Sequence, residues 1–260
     1  MTSLSSHGLR FAFGTLTALP VRVSRWDRDA ARAGMLCAPV AGLAVGLLAA
    51  VPGVLLLWAG AGPLPAAVAS AALPAALTRG LHLDGLADTA DGLGSARPAE
   101  DALRIMKQSD IGPFGVITLV FVLLAQVAAL FELYGRGWAD GALGTVVAAV
   151  TARLALTLAS RRGVPPARPE GLGAAVAGTV PPLGAAATAC AVVAGCAAAG
   201  VLVSGPGAAL HHSLAVLAGL GGAHLMLRHC VRRFGGVTGD VFGALEETAA
   251  TGALLALSLG

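Results

Sequence analysis

The chain has 260 residues, of which 56% are hydrophobic and only 12% are charged, and its mean hydropathy is +0.80. This composition excludes an ordinary soluble enzyme and is typical of an integral membrane protein. The formal net charge is a modest +3, and we expect no nucleic-acid partner. The four cysteines show no Cys-x-x-Cys spacing, so they indicate neither a disulfide framework nor a metal cluster. The first residues lack the pattern of a removable signal peptide.

In chain order, the first predicted element is an interfacial segment at residues 1–33. Its apolar stretch, 9–21, is too short to cross a membrane and precedes a collar of arginines, which suits a helix at the membrane surface. Apolar runs of about 20 residues, enough to cross roughly 30 Å of hydrocarbon, then recur along the chain. We predict seven spans, at 34–59, 64–80, 113–133, 141–160, 183–203, 208–227 and from 241 to the C-terminus.

The second of these spans is the least regular, because Pro74 interrupts it. Two alternatives remain open for it. The span either ends near residue 80 with a kink at Pro74, or it continues as one helix through Asp91.

Three polar segments, 81–112, 161–182 and 228–240, separate the spans and carry most of the positive charge. The N-terminal segment holds five Lys and Arg residues, and 79–112, 161–182 and 228–240 hold four, three and three of the 17 in the chain. Positive charge stays on the cytoplasmic side of a membrane. We therefore predict a single all-α integral-membrane domain, 1–260, with a cytoplasmic N-terminus, an external C-terminus and its active site on the cytoplasmic face.

The most informative stretch is LHLDGLADTADGLG, residues 81–94, which places Asp84, Asp88 and Asp91 in an otherwise apolar chain. On a helix, these carboxylates fall on one stripe, with i,i+4 side chains roughly 5–6 Å apart, where like charges repel. Oxygen ligands select hard cations, so the stripe predicts a Mg²⁺ or Mn²⁺ site. Gly85 and Gly92 flank it and leave room for a substrate. The alternative is an acidic helix end exposed to water.

Basic residues follow on a predicted helix at about 98–108, where Arg104 and Lys107 share a face and are candidates to bind phosphate. The alternative for Arg104 is an ordinary surface ion pair with Glu100. Arg153 lies inside a predicted span, where a charge is costly and usually functional. It either binds a substrate phosphate or extends its side chain to the headgroups.

A glycine-rich turn, RRFGGVTGD, precedes the last span. Its Thr238 and Gly239 are candidates to bind phosphate through backbone N–H groups, and Asp240 is either a fourth metal ligand or a helix N-cap. At least one of Glu246 and Glu247 is expected to face protein rather than lipid. His82 points about 160° away from Asp84 on a helix and is therefore expected to be structural.

Four motifs together identify a family resemblance: HLDGLADTADGL, RIMKQSDIGPFG, PEGLG and GGVTGD, in this order, after an N-terminal FAFGTLTALPV. They resemble the cobalamin synthase family, adenosylcobinamide-GDP ribazoletransferase, over nearly the whole chain. The first motif is highly specific. The family usually has Lys-Asp-Ser-Arg where this chain has Lys107, Gln108, Ser109 and Asp110, so the roles of the second and fourth positions do not carry over.

The resemblance implies a multi-pass, Mg²⁺-dependent enzyme of the bacterial plasma (inner) membrane. The ribose hydroxyl of α-ribazole, or of its 5'-phosphate, would attack the cobinamide-side phosphorus of adenosylcobinamide-GDP and release GMP. The residues above suit this chemistry, with Mg²⁺ on Asp84, Asp88, Asp91 and Asp240 and the diphosphate bound by basic side chains. Besides the metal ligands, the candidate site residues are Asp91 as proton acceptor, Asp88 and Lys107 as further catalytic groups, and Arg104, Lys107, Arg153, Gly85, Gly92, Thr238 and Gly239 for the substrate.

Two other functions remain as alternatives. A CDP-alcohol phosphotransferase has a similar acidic motif, but its second Asp-x-x-x-Asp is absent here. A cation-coupled transporter would place carboxylates within the membrane, whereas these aspartates lie at one predicted face. The lipid bilayer, other copies of the chain and other corrinoid-pathway enzymes are the expected partners.

Overall fold

The structure, a computed structural model, describes residues 2–259, with side chains from residue 6 onward. The described chain is all-α, as predicted, and its only extended pairings are two isolated bridges, Arg161 with Val180 and Pro166 with Val237. The helices are α1 (Thr2–Leu16), α2 (Arg28–Trp58), α3 (Pro63–Leu77), α4 (Leu81–Gly94), α5 (Ala99–Ile105), α6 (Pro113–Arg136), α7 (Trp138–Ala159), α8 (Gly171–Val176), α9 (Pro182–Ser204), α10 (Ala208–Phe234) and α11 (Gly239–Ser258).

Five of the described helices, α2, α6, α7, α9 and α10, are long and apolar enough to cross a membrane, which confirms a polytopic membrane protein. The bent pair α3 and α4 brings this number to six if the pair forms one span. Length and composition alone therefore support five or six spans, and the predicted seven, which needs α11 to cross as well, stays a prediction. The difference lies in α3, which has only 15 residues, and in α11, which carries Glu246 and Glu247.

The connection between α3 and α4 is a sharp break. The two helices meet at 88°, and the chain turns through Arg79 and Gly80, which adopt φ values of 53° and 72°. These left-handed conformations end α3 because a right-handed helix cannot continue through them. A continuous helix through Asp91 is therefore wrong, and the alternative that the segment ends near residue 80 is confirmed. The kink at Pro74, which lies within the last turn of α3, stays a prediction.

The N-terminal segment packs onto the bundle. Phe11 and Leu16 of α1 are buried in the main core, so α1 contacts protein and does not lie on the membrane surface alone. Helix α2, which contains the predicted span 34–59, begins at Arg28, so its first turn lies within the predicted 1–33 segment. Asp27 caps this helix by accepting hydrogen bonds from the backbone N–H groups of Asp29 and Ala30.

Small residues bring the central helices into backbone contact. A methyl group on Gly42 of α2 would lie 2.5 Å from the carbonyl oxygen of Ala149 on α7, and one on Gly46 would lie 2.8 Å from Cα of Val146. Interfaces of this kind are typical of membrane helices, where van der Waals packing replaces the hydrophobic effect. Helix α11 lies inside the bundle, packed against α4, α6, α7 and α10.

The polar segments meet at one end of the bundle, which we call the motif end. There Arg28 donates to the carbonyl of Ala177, and Arg168 lies beside Asp240. The opposite end joins other elements: Trp58 stacks edge-on against Trp138, Asp140 accepts from Ser204 at 3.0 Å, and Arg136 donates to the carbonyl of Leu257 at 3.1 Å. The predicted grouping of the polar segments on one face agrees with this arrangement, while the orientation relative to the cytoplasm stays a prediction.

Candidate active site

The predicted acidic stripe lies on a regular helix, α4, at the motif end. Asp84 is exposed, Asp88 is half-buried and Asp91 is buried. Asp84 lines two cavities. The first, about 670 Å³, lies between α1, the α3–α4 break and α6, and Arg79 also lines it. The second, about 110 Å³, is shared with Asp240. The helical stripe therefore opens onto space where a substrate can bind.

Asp240 is brought to α4 by close backbone packing. A methyl group on Gly85 would lie 2.9 Å from Cα of Asp240, and one on Gly92 would lie 2.7 Å from Cγ of Met106. The prediction that these two glycines leave room for a substrate is therefore wrong, because protein fills that space. The role of Gly85 in this structure is to let α11 approach α4, which places Asp240 beside the stripe.

The carboxylates of the two helices repel one another. Helix α4 is not one of the five apolar spans. The pKa of Asp88 is raised to about 7 by burial of its carboxyl group and by the negative charges of Asp84, Asp240 and Asp91. The positive charge of Arg168 acts in the opposite direction. Within residues 2–259 the Asp88 carboxylate has no hydrogen-bond partner. The site therefore has an excess of negative charge that a cation would compensate.

Asp91 has a different environment from the other two aspartates. Its two oxygens accept hydrogen bonds from the backbone N–H groups of Gly112, at 2.7 Å, and Gly115, at 2.9 Å, at the start of α6. A carboxylate at this position satisfies free N–H groups and complements the positive end of the helix dipole. This contact favours Asp88 over Asp91 as a proton acceptor, because both oxygens of Asp91 are already engaged.

The fit of a metal ion depends on how many ligands the protein supplies. Among the described residues, no three His, Cys, Asp or Glu side chains form a ready-made metal centre. Mg²⁺, however, is commonly held by one or two carboxylates together with substrate phosphates. Asp84 and Asp240 line the same cavity and offer only oxygen ligands, so they fit this second mode. The four-aspartate metal site stays a prediction that this geometry does not favour.

Arg168 is a basic residue of the site that the sequence analysis missed. Its Nη1 lies 3.7 Å from Oδ2 of Asp240, and its Nη2 donates to the carbonyl of Leu103. It immediately precedes the PEGLG motif, which was the available signal. Next to it, Glu170 accepts a hydrogen bond from Lys107 at 3.0 Å. The 161–182 segment thus brings one cation directly to the acidic group and anchors another nearby.

Arg104 forms the surface ion pairs that were the alternative to phosphate binding. Its side chain is 69% exposed and lies 3.5 Å from Glu100 and 3.3 Å from Asp101. Helix α5 spans Ala99–Ile105 and is shorter than the predicted 98–108. Lys107 lies beyond its end, so the prediction that Arg104 and Lys107 share a helical face is wrong.

Arg153 follows neither of the two predictions made for it. Its side chain is 1% exposed and forms an ion pair with Glu246, so it does not extend to the headgroups. It lines a separate cavity of about 50 Å³ and neither of the cavities at Asp84, which removes it from the phosphate-binding candidates. Glu246 faces protein, and Glu247 accepts from Gln126 at 2.8 Å, which confirms the expectation for these two glutamates.

The glycine-rich turn begins α11. Thr238 is the N-cap: its hydroxyl accepts from the N–H of Val241 and donates to Asp240, both at 3.2 Å. The alternative of Asp240 as the N-cap is therefore wrong. Gly173 of PEGLG packs against Thr238, where a methyl group would lie 2.8 Å from the Thr238 backbone. Phosphate binding by Thr238 and Gly239 stays a prediction.

Fold and site together define a polytopic α-helical membrane protein with an acidic site at one end of its bundle. The chain belongs to the cobalamin-5-phosphate synthase family, which it matches over residues 8–258. The predicted family resemblance is thereby confirmed.

Several relatives carry the name adenosylcobinamide-GDP ribazoletransferase. The one from Frankia casuarinae is 48% identical, over 96% of this chain and 94% of its own length. Those from Nocardioides sp. and Bradyrhizobium diazoefficiens are 42% and 39% identical, over 95% and 92% of this chain and 96% and 88% of their own lengths. No solved structure matches the chain.

Proposed function

We propose that this protein is an adenosylcobinamide-GDP ribazoletransferase that joins adenosylcobinamide-GDP to α-ribazole, or to its 5'-phosphate, and releases GMP. Relatives with this name match the chain over almost its full length. The structural observation that supports it most directly is the meeting of two distant motifs. Asp84 of the first motif and Asp240 of the last line the same cavity, with Arg168 beside Asp240.

The reaction exchanges one phosphorus–oxygen bond for another. The ribose hydroxyl oxygen forms a bond to the cobinamide-side phosphorus, and the bond from that phosphorus to the GMP oxygen breaks. The hydroxyl proton passes to Asp88, which is half-buried and has no competing hydrogen bond among the described residues. Asp88 replaces Asp91 in this role, because backbone N–H groups occupy both Asp91 oxygens.

The other residues bind and neutralise the diphosphate. Mg²⁺ held by Asp84 and Asp240 would supply charge neutralisation for the diphosphate and for the departing GMP. Arg168 lies 3.7 Å from Asp240 and suits a phosphate oxygen, since a guanidinium donates two parallel hydrogen bonds. Lys107 and Thr238 are placed to hold the loops that carry these groups.

The protein acts within the lipid bilayer, and we place it in the bacterial plasma membrane with the motif end in the cytoplasm. The apolar helices support membrane insertion, and the clustering of arginines at the motif end supports this orientation. Nothing in the geometry of the described residues favours the transporter or the CDP-alcohol phosphotransferase. Assembly with other copies or with other corrinoid-pathway enzymes stays a prediction.

The test is GMP release by membranes supplied with adenosylcobinamide-GDP, α-ribazole phosphate and Mg²⁺. We expect Asp84→Asn to lower turnover by about three orders of magnitude, because each 1.36 kcal/mol of lost transition-state stabilisation is about tenfold in rate. Glu100→Gln, a change in an exposed carboxylate of α5, is the matched control and should turn over like the wild type. GMP release by Asp84→Asn at the wild-type rate would exclude the proposed site.

A further inference from the structure

Three ionisable side chains from three helices meet behind the acidic stripe. Arg153 of α7 pairs with Oε1 of Glu246 on α11, and Oε2 of the same glutamate lies 3.6 Å from Nδ1 of His82 on α4. Their side chains are 1%, 6% and 5% exposed. We call this group the buried triad. Of its three members, His82 lines the 110 Å³ cavity that Asp84 and Asp240 share, and Arg153 and Glu246 do not.

Burying three ionisable side chains together costs free energy. Removing charges from water is expensive, and a buried ion pair is often no more stabilising than well-packed apolar side chains. Ionisable residues within membrane helices are rare and usually functional. The triad does not reach the substrate cavities through Arg153 or Glu246, so its effect must pass through His82.

His82 lies two residues before Asp84, in the first turn of α4. No side chain caps that turn, because its N-cap residue is Gly80, which adopts a left-handed conformation. It is held instead by α11. A methyl group on Gly243 would lie 2.8 Å from the carbonyl oxygen of His82, so the two backbones are in contact there. Glu246, one turn further along α11, places its Oε2 3.6 Å from Nδ1 of the same residue.

We propose that Glu246 and His82 are positioning residues: they fix the first turn of α4 against α11 so that Asp84 and Asp240 face one cavity. Arg153 supplies the positive charge that keeps Glu246 oriented. The kcat measurement that tests this proposal rests on the proposed function. The Mg²⁺-dependent melting temperature tests the arrangement of the two aspartates independently of the reaction. Groups that orient metal-binding residues typically change affinity or activity by about 10- to 100-fold when they are altered.

Substitution of His82 tests the proposal and leaves the Arg153–Glu246 pair intact. In His82→Leu the link to Glu246 is lost but the volume is nearly kept. We expect kcat to fall by at least about tenfold and the rise in melting temperature produced by Mg²⁺ to shrink, while the melting temperature without Mg²⁺ changes little. In His82→Asn a polar amide takes the place of the Nδ1 side of the imidazole beside Glu246, so both properties should recover towards the wild type.

Gln126→Leu is the matched control. Gln126 is also buried and also binds α11, through Glu247 at 2.8 Å and Thr251 at 3.0 Å, but it belongs to α6, and its hydrogen bonds go to residues other than Glu246. Its loss should lower the melting temperature and leave kcat and the Mg²⁺ response unchanged. Glu246→Gln, where it folds, should reproduce the His82→Leu result.

Two results overturn the proposal: a His82→Leu variant with the kcat and Mg²⁺ response of the wild type, or a His82→Asn variant as impaired as His82→Leu. Failure of the proposed function is a separate outcome. If the wild type released no GMP, the assigned reaction would be wrong, and the effect of Mg²⁺ on melting would still decide the positioning role.

Discussion

Asp84 and Asp91 lie two turns apart on α4 and have the same side chain, yet their partners differ. Asp91 accepts two backbone hydrogen bonds at the start of α6, whereas Asp84 faces a cavity. We expect Asp91→Asn to lower the free energy of unfolding by about 1–2 kcal/mol, because an amide has one acceptor oxygen and no charge to complement the helix dipole. Thermal melting in detergent, with and without Mg²⁺, measures this loss, which should be equal in the two conditions.

Asp84→Asn is the comparison on the same helix. It removes one of several repelling carboxylates and breaks no hydrogen bond of the described protein, so without Mg²⁺ it should melt no lower than the wild type. An Asp91→Asn protein that kept its stability but lost its Mg²⁺ response would instead make Asp91 a metal ligand. No local pattern indicates this division of roles, since the partners of Asp91 are 21 and 24 residues away.

Among the helices, the break between α3 and α4 decides where the stripe begins. It depends on left-handed backbone at Arg79 and Gly80, and a methyl group on Gly80 would meet nothing within 4 Å. Gly80→Ala therefore tests backbone conformation alone. We expect it to destabilise the protein by about 1–2 kcal/mol, the cost of a left-handed conformation for a residue with a Cβ. Thermal melting of the purified protein is the measurement.

Gly62→Ala is the control for that substitution. Gly62 also has open space around it, but its φ is −74°, which any residue adopts. It should therefore melt close to the wild type. Equal melting of the Gly80 and Gly62 variants would mean that α3 and α4 meet in another geometry. Pro74 indicated a break in the second predicted span because proline interrupts helices, but the left-handed residues that end α3 are Arg79 and Gly80.

For the whole molecule, composition and periodicity were enough to predict an all-α membrane protein and the stripe of Asp84, Asp88 and Asp91 on one helix. Contacts between distant segments were not predictable in this way. Arg153 and Glu246 form an ion pair although they are 93 positions apart in the sequence. Arg168 contacts Asp240 although three helices, α8 to α10, lie between them along the chain. Single-sequence patterns report the local period of apolar residues, whereas such pairs depend on which helix faces pack together.

The orientation of the bundle in the membrane is the last prediction. Fifteen of the 17 Lys and Arg residues lie in 1–33, 79–112, 161–182 and 228–240, and the three polar segments among these meet at the motif end. Positive residues stay in the cytoplasm during insertion. Reporter fusions near Arg97 and Arg168 should therefore read cytoplasmic, and fusions after Arg136 and at Gly260 should read external. Because Arg136 binds the last turn of α11, these two sites must agree with each other. A cytoplasmic reading at Gly260 with an external one after Arg136 would contradict both the predicted orientation and the contact between Arg136 and the end of α11.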